Sequence, residues 1–277
     1  PPPGREPAGS RARRRRWSDA RGAGSAPVNT LRATWLLTLR ALREIVRQPV
    51  NEVGNLVIPL FFFAVTVGAV GRVAERAFGL ENFVGFQMPV AVLNASASGT
   101  AGLAITQDVM SGYFEKLLLT PAPRFAVVFA RVMADGIKAA VLAAVIGGIG
   151  LLVGSGFAAG PLGFLLLVAM AGAFGFAFSA FGVAFGLRTG SPQAAQLSFL
   201  LFFPLLFLAP AFAPKEIFAP WLRFAATINP VTYVLEGMRS LVLDGWAWAA
   251  LGRAFAAIGG IGAFTLSLTV WALRSRA

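Results

Sequence analysis

Asp108, Glu115, Lys116 and Arg124 fall within one short polar stretch, Asp108-Val-Met-Ser-Gly-Tyr-Phe-Glu-Lys-Leu-Leu-Leu-Thr-Pro-Ala-Pro-Arg124, set between long apolar runs. Glu115, Lys116 and Arg124 suit ionic contacts with a partner surface. Tyr113 and Phe114 suit a groove on that surface, where buried aromatics concentrate binding energy. The three leucines after Lys116 and the Thr120-Pro121-Ala122-Pro123 exit describe a short amphipathic helix at a membrane surface, stopped by its prolines. Asp108 and Ser111 suit capping of that helix. The plainer alternative is an interfacial loop whose aromatics sit among lipid headgroups.

A second polar group is Asn229-Pro230-Val231-Thr232-Tyr233, followed by Glu236 and Arg239. Asn229 as a cap and Pro230 at the first helical position predict a helix start. The preceding Ile217, Phe218, Trp221, Leu222 and Phe224 predict another short helix ending near Ala226. Neither is long enough to cross a bilayer. Together they predict a helical hairpin dipping into the outer leaflet, with protein shielding its ends.

Other chemistry is missing from the chain. With no cysteine and no histidine, disulfides, thiolate catalysis and the usual zinc or haem ligands are excluded. No Gly-x-x-x-x-Gly-Lys-Ser/Thr loop is present to cradle a nucleotide's phosphates. No catalytic residue, metal site or bound cofactor is expected on this chain. Asp135 and Lys138 read as a surface ion pair at the start of a span, and no acid is expected near the middle of any span, which leaves an ion-coupled carrier without its usual relay.

The elements that must position these groups follow from composition. The 277 residues are 57% hydrophobic and 13% charged, with mean hydropathy +0.71. The apolar residues fall in windows of about 20, the length that carries a helix across ~30 Å of hydrocarbon. Continuous rather than alternating runs predict helices and not a barrel. The expected fold is an all-α integral membrane domain over 29–277, with six spans near 53–71, 85–105, 132–153, 161–187, 194–213 and 249–273. Pro204 and Pro210 are expected to bend the fifth. Leu31, Trp35, Leu39, Leu42 and Val46 share one face of a basic amphipathic helix lying in the interface and ending near Pro49.

Residues 1–28 are rich in Pro, Gly, Ala, Ser and Arg and are expected to be a disordered basic tail. Its Arg11 and Arg13 to Arg16 precede the first apolar run by some forty residues, too far for an export signal. Eleven of the 24 Lys and Arg precede Glu52 in a chain of net charge +12. With no folded basic domain beside it, this tail reads as a topology signal and a contact for anionic lipid rather than a nucleic-acid arm. With the N-terminus inside, basic residues divide eighteen inside to five outside, Arg253 lying at the edge of the last span. Both termini are therefore expected in the cytoplasm. The Ala-, Gly- and Arg-rich composition suits a GC-rich bacterium, hence a bacterial plasma membrane.

Taken together, the amphipathic first helix, the six expected spans, Asp108-x-x-Ser-Gly-x-Phe-Glu-Lys-Leu-Leu-x-x-Pro-x-x-Arg124 and Asn229-Pro230-Val231-Thr232-Tyr233-x-x-Glu236-x-x-Arg239 resemble the ABC-2 type permease family, in particular its daunorubicin-resistance-like exporter subunits. The resemblance runs from about Asn29 onward. It implies a homodimer or pseudo-dimer bound to cytoplasmic P-loop ATPase subunits, which carry the ATP and Mg. It also implies that the first helix is the elbow helix and that Gln107 to Lys116, with Gly112 among them, lies in or near the coupling helix.

The expected function is the permease subunit of an ATP-driven exporter for a hydrophobic drug, natural product or lipid, with ATP hydrolysis on the partner. Asn94 and Ser98 on the second span and Gln196, Phe199 and Phe203 on the fifth are candidate path residues, although small residues also pack helices and Phe also faces lipid. Two other classes compete: an ion-gradient-driven carrier or channel that needs no ATPase, and a membrane lipid-modifying enzyme, which would need acids, histidines or a metal cluster at a membrane face.

Overall fold

The computed structural model describes residues 30–47, 49–112 and 124–274. All regular structure among them is helical: α1 (Thr30–Arg47), α2 (Pro49–Phe78), α3 (Phe83–Ser96), α4 (Ala101–Met110), α5 (Arg124–Leu152), α6 (Gly160–Thr189), α7 (Pro192–Leu208), a 3-10 turn (Lys215–Ile217), α8 (Pro220–Ile228), α9 (Pro230–Leu243) and α10 (Trp248–Arg274). Five segments within these are long and apolar enough to cross a membrane: Glu52–Phe78, the interrupted Phe83–Met110, Phe125–Leu152, Gly160–Thr189 and Trp248–Arg274. Helix α7 is also apolar but has 17 residues, ending at Leu208 with Ala209 as its C-cap just before Pro210.

Helix α6 is the centre of the bundle. It packs against α5, α10, α4 and α7, and Leu167, Met170, Phe174, Val183 and Leu187 are fully buried on it. Small residues let its backbone come close to its neighbours: a Cβ on Gly102 of α4 would stand 2.5 Å from the Gly182 carbonyl carbon. Helix α10 is fixed to α6 by two hydroxyls, Thr265 Oγ1 donating to Ala177 O at 2.7 Å and Thr269 Oγ1 to Ala180 O at 2.8 Å. Such bonds suit apolar surroundings, where hydrophobic attraction between helices is weak.

Helix α2 is the opposite case. It packs mainly on α3, and Val57, Ile58, Phe61, Phe62, Val65, Val70 and Val73 are all exposed. Helix α1 likewise turns its bulky face away from the protein. Leu31 is 79% exposed and Val46 76%, with Trp35 also exposed, whereas the small Ala33, Thr38 and Ala41 are buried on the side packed against α5.

The second span is two helices. Ala97, Ser98, Gly99 and Thr100 separate α3 from α4, and the continuous 85–105 span expected from the sequence is broken there. A break inside an apolar bundle frees backbone groups that must find partners, and α5 supplies them. The third span, α5, also begins earlier than expected, at Arg124 rather than Val132, which places Asp135 and Lys138 well inside it.

Candidate coupling site

Arg131, Asp135 and Lys138 are spaced four and three residues apart on α5, so they form a single charged stripe facing α1, α2 and α4. At one end of the stripe Arg131 forks between two helices. Its Nη1 donates to Glu44 Oε2 on α1 at 2.9 Å and its Nη2 to Asp108 Oδ2 on α4 at 2.8 Å. The rigid guanidinium suits this double pairing, which a lysine cannot reproduce. Its side chain is 13% exposed and that of Asp108 17%, so both charges are held largely away from solvent.

Deeper in the bundle, Asp135 caps the broken span from outside. Its Oδ2 accepts from Ala101 N at 2.7 Å and its Oδ1 from Thr100 Oγ1 at 3.1 Å. Thr100 occupies the N-cap position of α4 without making a side-chain cap bond of its own. The carboxylate of a neighbouring helix thus meets the orphan N–H and the positive end of the α4 dipole. Lys138 serves the other side of the break: its Nζ donates to Ser98 O at 3.0 Å and Thr100 Oγ1 at 3.1 Å, and lies 3.4 Å from Asp135 and 3.5 Å from Glu52. Glu52 also accepts from Asn55 Nδ2 at 2.8 Å.

Asp135 is 2% exposed and Lys138 7%. The surface ion pair expected from the sequence is therefore a buried pair, with every charge matched by partners as burial demands. A cavity of about 380 Å³ opens beside this stripe, lined by Glu44, Glu52, Thr100, Gln107, Arg131 and Asp135 among others.

The sequence-predicted residues around position 108 are placed as follows. Gln107 lies on the cavity wall. Asp108 is inside α4 and paired with Arg131, and does not cap a helix that begins there. Ser111 closes α4 at its C-terminal end, its Oγ donating to Asp108 O at 3.1 Å; the coupling helix that both residues are expected to cap lies outside the described residues. Gly112 follows with φ +67°, a left-handed conformation suited to a residue without Cβ. Arg124 opens α5. Tyr113, Phe114, Glu115 and Lys116 lie outside the described residues. The sequence reading missed Arg131 and Glu44, although Arg131, Asp135 and Lys138 already carried helical spacing.

At the opposite end, Asn229 joins three elements. Its Oδ1 accepts from Val231 N at 3.0 Å, capping α9, and its Nδ2 donates to Leu205 O of α7 at 2.5 Å. Pro230 is the first residue of α9, and Tyr233 Oη donates to Thr227 O at 2.6 Å, closing α8 on α9. Glu236 pairs with Lys215 at 2.6 Å. Arg239 donates through Nε to Phe86 O at 3.2 Å and through Nη2 to Pro210 O at 3.0 Å, with its guanidinium 3.5 Å from the centre of the Phe86 ring. Desolvation lowers its pKa to about 9, opposed by Glu236 and Asp244, so it remains a cation at neutral pH. On α8 and the turn before it, Ile217, Trp221, Phe224 and Ile228 are exposed along one side.

The candidate path residues separate. Asn94 and Phe203 line one groove between α2, α3 and α7, and Phe199 meets Phe203 edge to face at 5.2 Å. Ser98 belongs to the helix break, its Oγ donating to Ala95 O. Gln196 is exposed near the start of α7, outside that groove.

Comparison with known proteins agrees with this architecture. The ABC-2 type transporter family model matches residues 32–243. The chain is 25% identical over 219 residues to the probable doxorubicin resistance ABC transporter permease protein DrrC of Mycobacterium tuberculosis, covering 76% of this chain and 77% of that protein. It is 24% identical over 225 residues to the daunorubicin resistance ABC transporter permease protein DrrB1 of Streptomyces coeruleorubidus, covering 79% of each. A putative transport permease, ycf38, of Cyanophora paradoxa is 24% identical over 221 residues, 75% of this chain and 73% of that one. With its apolar membrane-crossing helices and a match over most of its length, this chain belongs to the ABC-2 type transporter family.

Proposed function

We propose that this chain is the membrane-spanning subunit of an ATP-driven exporter, paired with a second copy of itself and powered by a separate cytoplasmic ABC ATPase that binds the ATP and Mg. The observation that carries this reading is the Arg131 junction, where one guanidinium ties α1 and α4 to α5. A push on the segment after Met110 reaches three helices through one stiff node rather than dissipating in a loop. In this reading α1 is the elbow helix with its bulky face in lipid, residues 107–116 form the docking segment, α7 is a sixth, bent crossing, and both termini are cytoplasmic. The exposed faces of α2 and α7 meet the second copy. The hairpin α8–α9 dips into the outer leaflet, Trp221 and Phe224 contacting lipid. The site lies in a bacterial plasma membrane, and the cargo is a hydrophobic drug, natural product or lipid, in line with the names of the relatives.

The test is alanine replacement of Tyr113, Phe114 and Glu115 together. Loss of ATPase co-purification and of ATP-dependent efflux supports the reading, and retention of both overturns it. An ion-gradient carrier gains from the buried Asp135, but that carboxylate is committed to Ala101 N, Thr100 and Lys138 and is not free to relay a proton.

A further inference from the structure

Helix α1 packs chiefly on α5, and between these two helices and the foot of α2 the protein leaves a slot of about 350 Å³. Leu42, Ile45 and Val46 of α1, Val53 and Leu56 of α2 and Val141 of α5 form its apolar walls. Val46, Val53 and Val141 are each more than half exposed, so the slot opens to whatever surrounds the helices. Its two charged residues, Glu52 and Lys138, stand 3.5 Å apart, and Lys138 is committed as well to Ser98 O and Asp135. Water in such a hollow finds few bonding partners, whereas an apolar guest gains by leaving water. Val53 and Leu56 belong to the first turns of the membrane-crossing segment Glu52–Phe78. The slot therefore lies at the depth where acyl chains meet headgroups.

One edge of the slot is basic. Arg43 and Arg47 each follow a wall residue, Leu42 and Val46, by about 100° of helix rotation. Both arginines are exposed, and neither joins an ion pair among the described residues. Beside them an open hollow of about 430 Å³ is lined by Arg40, Arg43, Glu44 and Arg47, of which Glu44 is already paired with Arg131. An apolar slot bordered by uncommitted guanidinium groups matches a molecule with an apolar tail and an anionic, phosphate-bearing head.

We propose that this slot is a binding site for one anionic phospholipid, with an acyl chain between α1, α2 and α5 and the headgroup held by Arg43 and Arg47. The site needs only the membrane-crossing architecture and goes beyond the exporter reading. Ile45 is a wall of the slot and Glu44, next to it, is a partner of Arg131. A lipid seated there steadies the α1 end of that junction.

The test places the full chain in phosphatidylcholine nanodiscs doped with a trace of phosphatidylglycerol that carries a photoreactive diazirine on one acyl chain. The matching phosphatidylcholine probe is used in parallel, and labelled peptides are mapped by mass spectrometry. Helix α10 around the exposed Phe264 is the reference for ordinary lipid contact. At 42–46 and 137–142 the phosphatidylglycerol probe is expected to label more than the phosphatidylcholine probe by about fivefold for each of the two arginines, the usual effect of one basic side chain near an anionic lipid surface. At the reference the two probes are expected to label alike. Arg43→Gln with Arg47→Gln is expected to bring phosphatidylglycerol labelling of the slot down to the phosphatidylcholine level. Val141→Trp, a change at an exposed wall position, is expected to fill the slot and lower labelling there by both probes, leaving the reference unchanged.

Equal labelling of the slot by the two probes overturns the proposal, because the contact is then ordinary boundary lipid. A headgroup preference that survives the loss of both arginines overturns it too, as does labelling that Val141→Trp leaves undiminished. A slot labelled by neither probe overturns it by showing that protein, the second copy or another part of the chain, fills the space.

Discussion

Replacing Asp135 by Ala strikes the broken second span where it is held. Three interactions end at once: the bond from Ala101 N at 2.7 Å, the bond from Thr100 Oγ1 at 3.1 Å and the pairing with Lys138 at 3.4 Å. The orphaned Ala101 N–H alone costs about 1–3 kcal/mol. Lys138, 7% exposed, keeps only the more distant Glu52 as a counter-charge, and breaking a buried pair from one side costs about 3–5 kcal/mol in total. Lys138→Met is expected to cost a comparable amount, because it strips Ser98 O of its donor and leaves Asp135 short of a cation.

The double variant removes both charges and leaves neither stranded. Its cost is therefore expected to fall short of the two single costs added together by about 1–3 kcal/mol. Unfolding in mixed detergent micelles, followed by circular dichroism, reads all three values. The reasoning is refuted if Asp135→Ala costs less than about 0.5 kcal/mol, the usual range of a neutral surface change, or if the single effects simply add. Either result would mean that the break in the span is stable without the charges of α5.

Arg131→Ala leaves Glu44 and Asp108 without their shared cation; ATP-dependent export is expected to fall by roughly 5–150-fold, the span of a typical coupling energy, while ATPase co-purification survives. Arg131→Lys, reaching one carboxylate only, is expected to fall between the two, as efflux assays with matched expression would show. Gly102→Val pushes a side chain into the Gly182 backbone and is expected to destabilise by about 1–3 kcal/mol, read as a lower melting temperature. Asn229→Ala removes the α9 cap and the tie to α7; a loss of about 1–2 kcal/mol is expected, with protease sensitivity appearing first at the α8–α9 hairpin.

How much of this was legible in the sequence depended on whether the physics was local. The apolar windows, the amphipathic α1, and Asn229-Pro230 as cap and first residue of α9 are short-range patterns, and helices stand at each of them. The break at Ala97–Thr100 was not foreseen, because its stabilising groups sit 34 to 40 residues downstream on another helix. Reading Asp135 and Lys138 as surface residues followed from starting the third span at Val132. Once the helix starts at Arg124, Arg131, Asp135 and Lys138 become an inward stripe at helical spacing in an otherwise apolar run, the one signal that could have disclosed them. The pairing of Asp108 was illegible for the same reason: Arg131, its partner within the chain, lies 23 residues away.

These long-range contacts also bear on where a conformational change can be taken up. Helix α3 is anchored at its far end, where Asn82 caps it and donates to Gly154 O and Ser155 O at 2.9 Å and Arg239 holds Phe86 O. Helix α4 is anchored separately, through Asp108 to Arg131 and through Ala101 to Asp135. The four residues between them, Ala97 to Thr100, are the only stretch of that span free of regular helix. In the proposed mechanism, a force delivered at Met110 moves α4 with α1 and α5 as one body, and α3 keeps its outer attachments only if the joint bends. Asn94 sits one turn from that joint, on the groove between α2, α3 and α7. Bending there alters the groove from its deep end while its aromatic rim stays in place. Holding the joint rigid is then expected to abolish export while leaving co-purification with the ATPase intact.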